Sequence, residues 1–285
     1  MTNNTHLSQK QYFRLLTAVS FWLLSSLLHL KFSLFLVEPL DTGFGTITLK
    51  DYAPQAGYLL LMLFALYLIW YSIKGSYGNR GLIVWLIWLL LTGIINRYLL
   101  ATPIENIHFV QYGILSSLLL WGLNTGGNTH RLLIPRVLFW STLAGIIDEV
   151  LQYFWITASY SDYMDFNDFL LNMMGAIAGI LFYTGFAPLQ TITLKTGTIS
   201  LRQIITSFEA KTVFLLCLIV SLFYSLGMFQ WTDMERKPGS FGSWQPNFAQ
   251  GEFYVLSPSE GGLLLLVLFA GFILFNSLLH PRVQN

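Results

Sequence analysis

Long apolar runs alternate with short polar interruptions along nearly the whole chain. Eight runs approach the ~20 residues that a bilayer requires. They fall at about 15–37, 55–73, 81–100, 107–123, 132–156, 167–187, 212–230 and 261–279. This pattern predicts an all-α protein: a polytopic transmembrane helical bundle of about eight spans. The first run follows Lys10 and Arg14, as a signal peptide would. It exceeds the roughly 7–15 residues of a signal h-region and lacks an A-x-A-like cleavage site, so it is expected to remain as a helix.

The basic residues between the runs set an orientation. Lys10, Arg14, Lys74, Arg80, Arg131, Arg136, Lys195, Arg202, Lys211 and Arg282 fall on one side, and Lys50, Arg97, Arg236 and Lys237 on the other. Lys31 lies inside the first run. The asymmetry predicts a multi-pass protein of the cytoplasmic (inner) membrane with both termini in the cytoplasm.

Three polar sets interrupt the apolar pattern at helical spacing. Glu105, His108 and Tyr112 stand at i, i+3 and i+7. Asp148, Glu149 and Gln152 follow, and then Asp165, Asp168, Asn172, Gly175 and Gly179. Spacings of three and four place the members of a set on one helix face. Ionisable groups in hydrocarbon are costly unless they pair or line a cavity, so such stripes mark a functional site by default. With the orientation above, all three sets face the extracytoplasmic side.

The spacing divides the chain into a six-helix part over 1–187, with its motif core at 105–185, and a two-helix addition over 212–285. A polar, Thr-rich cytoplasmic connector over 188–211 separates them. The outer loop 231–260, rich in Gly, Pro and aromatic residues, predicts turns and one short strand near 252–256.

Composition agrees with the membrane assignment: 54% of residues are hydrophobic and only 10% charged, against about 25% in soluble domains. The formal net charge of +1 gives no basis for a nucleic-acid partner. Cys217, the single cysteine, reads as a small buried hydrophobe in an apolar run. Walker, dinucleotide, HExxH and GxSxG signals are absent.

The chemistry of the sets suggests roles. A carboxylate three residues before a histidine can orient the ring and raise its basicity, which casts Glu105 as orienter and His108 as acid or base. Against this stands a helix-capping carboxylate beside an interfacial histidine. Adjacent acids split their pKa values, so one can act as an acid. Glu149 is preferred over Asp148 because Gln152 extends its face. Asp165 reads as a helix cap with Asp168 at the third helical position. Asn172, one turn deeper, is not explained by capping. Gly175 and Gly179 form a small-xxx-small motif for close helix approach. No two His or Cys residues share a ligand spacing, so the sequence assigns no metal and no cofactor.

These residues carry a resemblance. The run 105–113 resembles the E-x-x-H-x-x-x-Y-G segment of VanZ-like membrane proteins. Asp148-Glu149-x-x-Gln152, followed by Asp165-x-x-Asp168-x-x-x-Asn172-x-x-Gly175-x-x-x-Gly179, resembles the second half of that motif. Residues 1–100 resemble the variable leading helices of such proteins. The family often has an arginine where this chain has Asp162. Arg97 is the candidate replacement, although an interfacial arginine also snorkels to lipid phosphates.

The resemblance implies a polytopic protein linked to low-level teicoplanin resistance. It points to cell-envelope lipid, a peptidoglycan precursor or a glycopeptide. The expected partners are membrane lipids and a lipid-linked or amphipathic substrate at the outer leaflet. In that reading His108, Glu105 and Glu149 are catalytic, while Tyr112, Gln152, Asp165, Asp168, Asn172 and Arg97 bind substrate. The alternatives are a non-catalytic envelope-maintenance or binding protein whose polar network is structural, and a proton-coupled transporter. A transporter needs ionisable residues continuing inward, and the inner halves of the fifth and sixth runs offer Ser141, Thr142, Tyr183 and Thr184, with no acid among them.

Overall fold

A computed structural model describes residues 8–41, 46–48, 59, 62–64, 66–70, 78–101, 103–124, 133–158, 161–186, 207–247 and 251–276. The helices are α1 (Gln9–Val37), α2 (Gly78–Tyr98), α3 (Ile107–Leu123), α4 (Leu133–Leu151), α5 (Phe166–Phe186), α6 (Phe208–Ser225) and α7 (Pro258–Asn276). The described residues of the 55–73 run are helical as well. Of the connector placed at 188–211, only 207–211 lies within the described residues.

Three of these helices have segments long and apolar enough to cross a membrane: Gly81–Tyr98, Phe166–Gly185 and Phe208–Ser225. Ile107–Leu123 and Pro258–Leu274 are shorter apolar segments. The α4 helix carries Arg136, Asp148 and Glu149, which lower its hydropathy. The protein is therefore mostly helical, with three candidate spans and shorter apolar helices beside them.

The hub of the bundle is α5, and glycine puts it there. A Cβ on Gly175 would meet the backbone of His108 and Phe109. One on Gly179 would overlap the Gly113 carbonyl and the Ser116 hydroxyl. Only hydrogen at these positions lets α3 and α5 approach so closely. The contact order, His108 and Phe109 to Gly175 and then Gly113 to Gly179, makes the two helices parallel. Ser117 Oγ fastens the seam by donating to the Gly113 and Gly179 carbonyls at 2.8 and 3.1 Å.

Neighbours of opposite direction surround this pair. Gly145 of α4 faces the Asn172 side chain. Trp88 of α2 donates to the Met174 carbonyl at 2.9 Å, and its ring and that of Trp85 sit edge to face at 5.5 Å. Trp22 of α1 donates to the Ala144 carbonyl at 3.2 Å, while Arg14 lies 4.7 Å over the Trp121 ring. The surface turned outward is apolar: along α6, Phe214, Leu215 and Leu218 are more than half exposed. Such a surface suits lipid rather than water.

One end of the bundle is closed by the C-terminal part. Ser243–Asn247 and Gly251–Val255 form an antiparallel hairpin, β1–β2 here. The sequence predicts one short strand in this region; the second arises because Ser243–Asn247 finds its partner across a short connection. Arg236 sits 3.9 Å over the Tyr153 ring and donates to the Tyr153 and Ser161 carbonyls at 2.7 and 2.9 Å. Tyr153 in turn donates to the Asp233 carbonyl at 3.1 Å. At the opposite end Arg136 pairs with Glu209.

Candidate functional site

The polar sets lie at the capped end, because α3 and α5 begin there and α4 ends there. His108 stands in the first turn of α3, Glu149 in the last turn of α4 and Asp168 in the first turn of α5. His108 Nδ1 lies 3.8 Å from Glu149 Oε1, and its Nε2 lies 3.6 Å from Asp168 Oδ2. One imidazole is thus held between carboxylates from two other helices. All three side chains are buried, with 1%, 4% and 8% of their residues exposed.

Two amides complete the surroundings of Glu149. Asn172 Nδ2 and Gln152 Nε2 approach its Oε1 at 3.3 and 3.4 Å. Gly145 makes room for Asn172, since a Cβ there would press on the amide. Gln152 opens a π-helical turn, Gln152–Ile156, that ends α4. Such turns widen a helix locally and are frequent at functional sites.

Asp148 and Glu149 do point apart. Asp148 is fully buried and accepts the Tyr112 hydroxyl at 2.8 Å and Gln111 Nε2 at 3.2 Å. Gln111 also donates to Ser25 Oγ of α1 at 3.1 Å. Tyr112, a candidate substrate ligand by sequence, spends its hydroxyl on this internal link. Its ring is stacked with the His108 imidazole at 6.4 Å, so the link and the imidazole share one wall.

Glu105 belongs to a 3-10 turn, Pro103–Asn106, ahead of α3. Its Oε2 accepts the Ala101 N–H at 2.9 Å. It precedes His108 by three residues across the junction of this turn with α3, and the carboxylates of Glu149 and Asp168 flank the imidazole. Asp165 caps α5 by accepting the Asn167 and Asp168 N–H groups at 2.8 and 3.4 Å. Burial raises its carboxyl to about 6, despite the opposing pull of those two N–H groups. Arg97 closes α2, with its guanidinium 5.6 Å from the Tyr98 ring.

Sequence reasoning passed over Gln111, Ser25 and Asn167. The Asn167 side chain is buried and donates to the Leu99 and Tyr254 carbonyls at 2.8 Å each. A polar residue beside a capping aspartate was the available signal. Asp162, which replaces the arginine frequent in the resembled family, lies 3.9 Å from Lys237 Nζ in an exposed pair. Its carbonyl accepts the Arg236 and Lys237 N–H groups. The C-terminal segment brings cations to the loop that lacks one of its own.

Comparison with known proteins identifies residues 58–188 with the family described as VanZ/LLP1. No curated protein and no solved structure matches the chain.

Proposed function

From a VanZ/LLP1 domain over residues 58–188, we propose that this membrane protein acts on a lipid-linked or amphipathic envelope substrate at the outer leaflet. The substrate class is envelope lipid, peptidoglycan precursor or glycopeptide, with teicoplanin-type resistance as the physiological readout. In this reading about eight spans place both termini in the cytoplasm and the site outside. The supporting observation is the imidazole of His108 held between Glu149 and Asp168. A histidine flanked by carboxylates can take or release a proton near neutral pH, and the carboxylates fix its orientation. Glu149 serves as the second acid, steadied by the Asn172 and Gln152 amides.

The non-catalytic reading is favoured by one observation of its own. The Tyr112–Asp148–Gln111–Ser25 chain ties α1, α3 and α4 together deep in the bundle. Such a network holds helices whether or not chemistry occurs beside it.

Isosteric variants separate the two. Breaking a buried charged pair by removing one partner costs about 3–5 kcal/mol. If the cluster is scaffold, His108→Gln and Glu149→Gln lose melting temperature and function together. If it is a reaction or binding site, function falls at least tenfold while the melting temperature in detergent holds or rises. Glycopeptide susceptibility measured beside thermal melting reads both. Loss of function only in step with stability overturns the enzyme reading.

A further inference from the structure

We propose that His108, Glu149 and Asp168 form a binding site for one divalent cation of the zinc or manganese class. The cation reading goes beyond the acid–base one, since a coordinated imidazole nitrogen is no longer a free base.

The first argument is spacing. Where polar groups of this interior pair directly they do so at hydrogen-bond distance, as Tyr112 does with Asp148 at 2.8 Å. Around His108 the separations are wider: 3.8 Å from Nδ1 to Glu149 Oε1 and 3.6 Å from Nε2 to Asp168 Oδ2. Ligand atoms that each lie about 2.1 Å from one ion stand roughly 3.0–3.5 Å from each other. One imidazole nitrogen and one oxygen from each carboxylate lie within 4.8 Å of one another, so a common centre needs only a small contraction.

The second argument is unmet bonding. Asp168 is buried, yet its Oδ1 has no hydrogen-bond partner among the described residues. A carboxylate oxygen of the cluster is thus left without the bond that burial demands.

The third argument is charge. Two buried carboxylates share one imidazole, which supplies at most a single positive charge, and uncompensated buried charge is expensive. A divalent ion removes the deficit. One ring nitrogen of His108 would bind it beside one oxygen from each carboxylate. One nitrogen among oxygen donors suits zinc or manganese better than calcium or magnesium, which prefer oxygen alone. A cation here would supply Lewis-acid polarisation of a phosphoryl or carbonyl oxygen.

The test is binding to the full chain in detergent, with any purification tag removed. The protein is stripped with chelator, confirmed folded by circular dichroism, and titrated with Zn2+ and separately with Mn2+. The expected result is about one equivalent bound and a saturable rise in melting temperature. His108→Gln and Asp168→Asn should lose the rise, Gln152→Ala should weaken binding about tenfold, and Arg136→Gln at the far end should leave it intact. X-ray absorption of the zinc-loaded wild type should show nitrogen and oxygen neighbours without sulfur, which keeps the test decisive if the variants fail to fold. Folded protein that takes up neither ion overturns the proposal. So does a sulfur neighbour, which would point to Cys217, or a rise that survives both substitutions. Metal-free protein in which His108→Gln abolishes function at unchanged stability would overturn the cation and keep the acid–base reading. Bound metal without any envelope phenotype would do the reverse.

Discussion

Asn167 and Leu256 are joined across 89 residues of chain: Asn167 Oδ1 accepts the Leu256 N–H at 3.1 Å. The same side chain donates to the Leu99 and Tyr254 carbonyls. One buried amide therefore ties the start of α5 to the end of α2 and to the C-terminal hairpin. Asp168, the site carboxylate, is the next residue. The part of the chain beyond the VanZ/LLP1 domain thus reaches the backbone that positions Asp168.

Asn167→Ala should for that reason be costly. It strands the Leu256 N–H and two carbonyls in the interior, at about 1–3 kcal/mol for each group that finds no replacement. The expected outcome is a clear fall in melting temperature, with proteolysis appearing first in 231–257. A melting temperature unchanged from wild type would show that the hairpin is not held through this residue.

The Tyr112–Asp148 bond predicts a different signature. Tyr112→Phe keeps the ring beside His108 and removes only the donor, leaving Gln111 as the partner of Asp148. A hydrogen bond to a charged group contributes about 1.5–3 kcal/mol. Thermal melting should fall accordingly, while cation binding and envelope phenotype change little. A large functional loss at wild-type stability would move Tyr112 from scaffold to substrate contact.

Glycine offers a paired comparison. Gly179→Ala forces a methyl group into the Gly113 carbonyl, backbone that cannot move aside, so α3 and α5 must separate. Overpacking of this kind costs roughly 1–3 kcal/mol or prevents folding. Gly271→Ala in α7 meets nothing within 4 Å and faces an apolar cavity of about 220 Å³ between α2, α5 and α7. It should be neutral, or stabilising by up to about 1 kcal/mol through helix propensity. Melting of the two variants side by side checks the α3–α5 seam.

Much of this was legible in the residues. The i, i+3, i+4 spacing located the polar faces, the small-xxx-small motif foretold a close helix approach at Gly175 and Gly179 without naming α3 as the partner, and Gln152 pointed to Glu149 rather than Asp148 as its neighbour. Spacing alone could not show departures from the α-helix: Glu105 sits in a 3-10 turn and Gln152 opens a π turn. Long-range partners were hidden altogether. Nothing near Asn167 in the chain marks Leu99 or Tyr254, and nothing near Asp162 marks Lys237. Those contacts depend on tertiary packing between segments more than 65 residues apart.

Orientation remains the premise on which an outward-facing site depends, and labelling tests it. Lys10 opens α1 and is exposed, at the end of the bundle where Arg14 meets Trp121. Thr232 is exposed at the other end, in the segment that caps the site. Arg14, Arg80, Arg136 and Lys211 stand on helix segments at the Lys10 end, and basic flanks favour the cytoplasm. In a Cys217→Ser background, Thr232→Cys should react in intact cells with a membrane-impermeant thiol reagent, and Lys10→Cys should react only after lysis. Cys217, read from the sequence as a buried hydrophobe, is exposed because all of α6 is uncovered, and it is removed so that every signal reports an introduced position. Labelling of Lys10→Cys but not Thr232→Cys in intact cells would invert the protein. His108, Glu149 and Asp168 would then face the cytoplasm, and an outer-leaflet substrate would have to be abandoned even if the cluster proved to bind a cation.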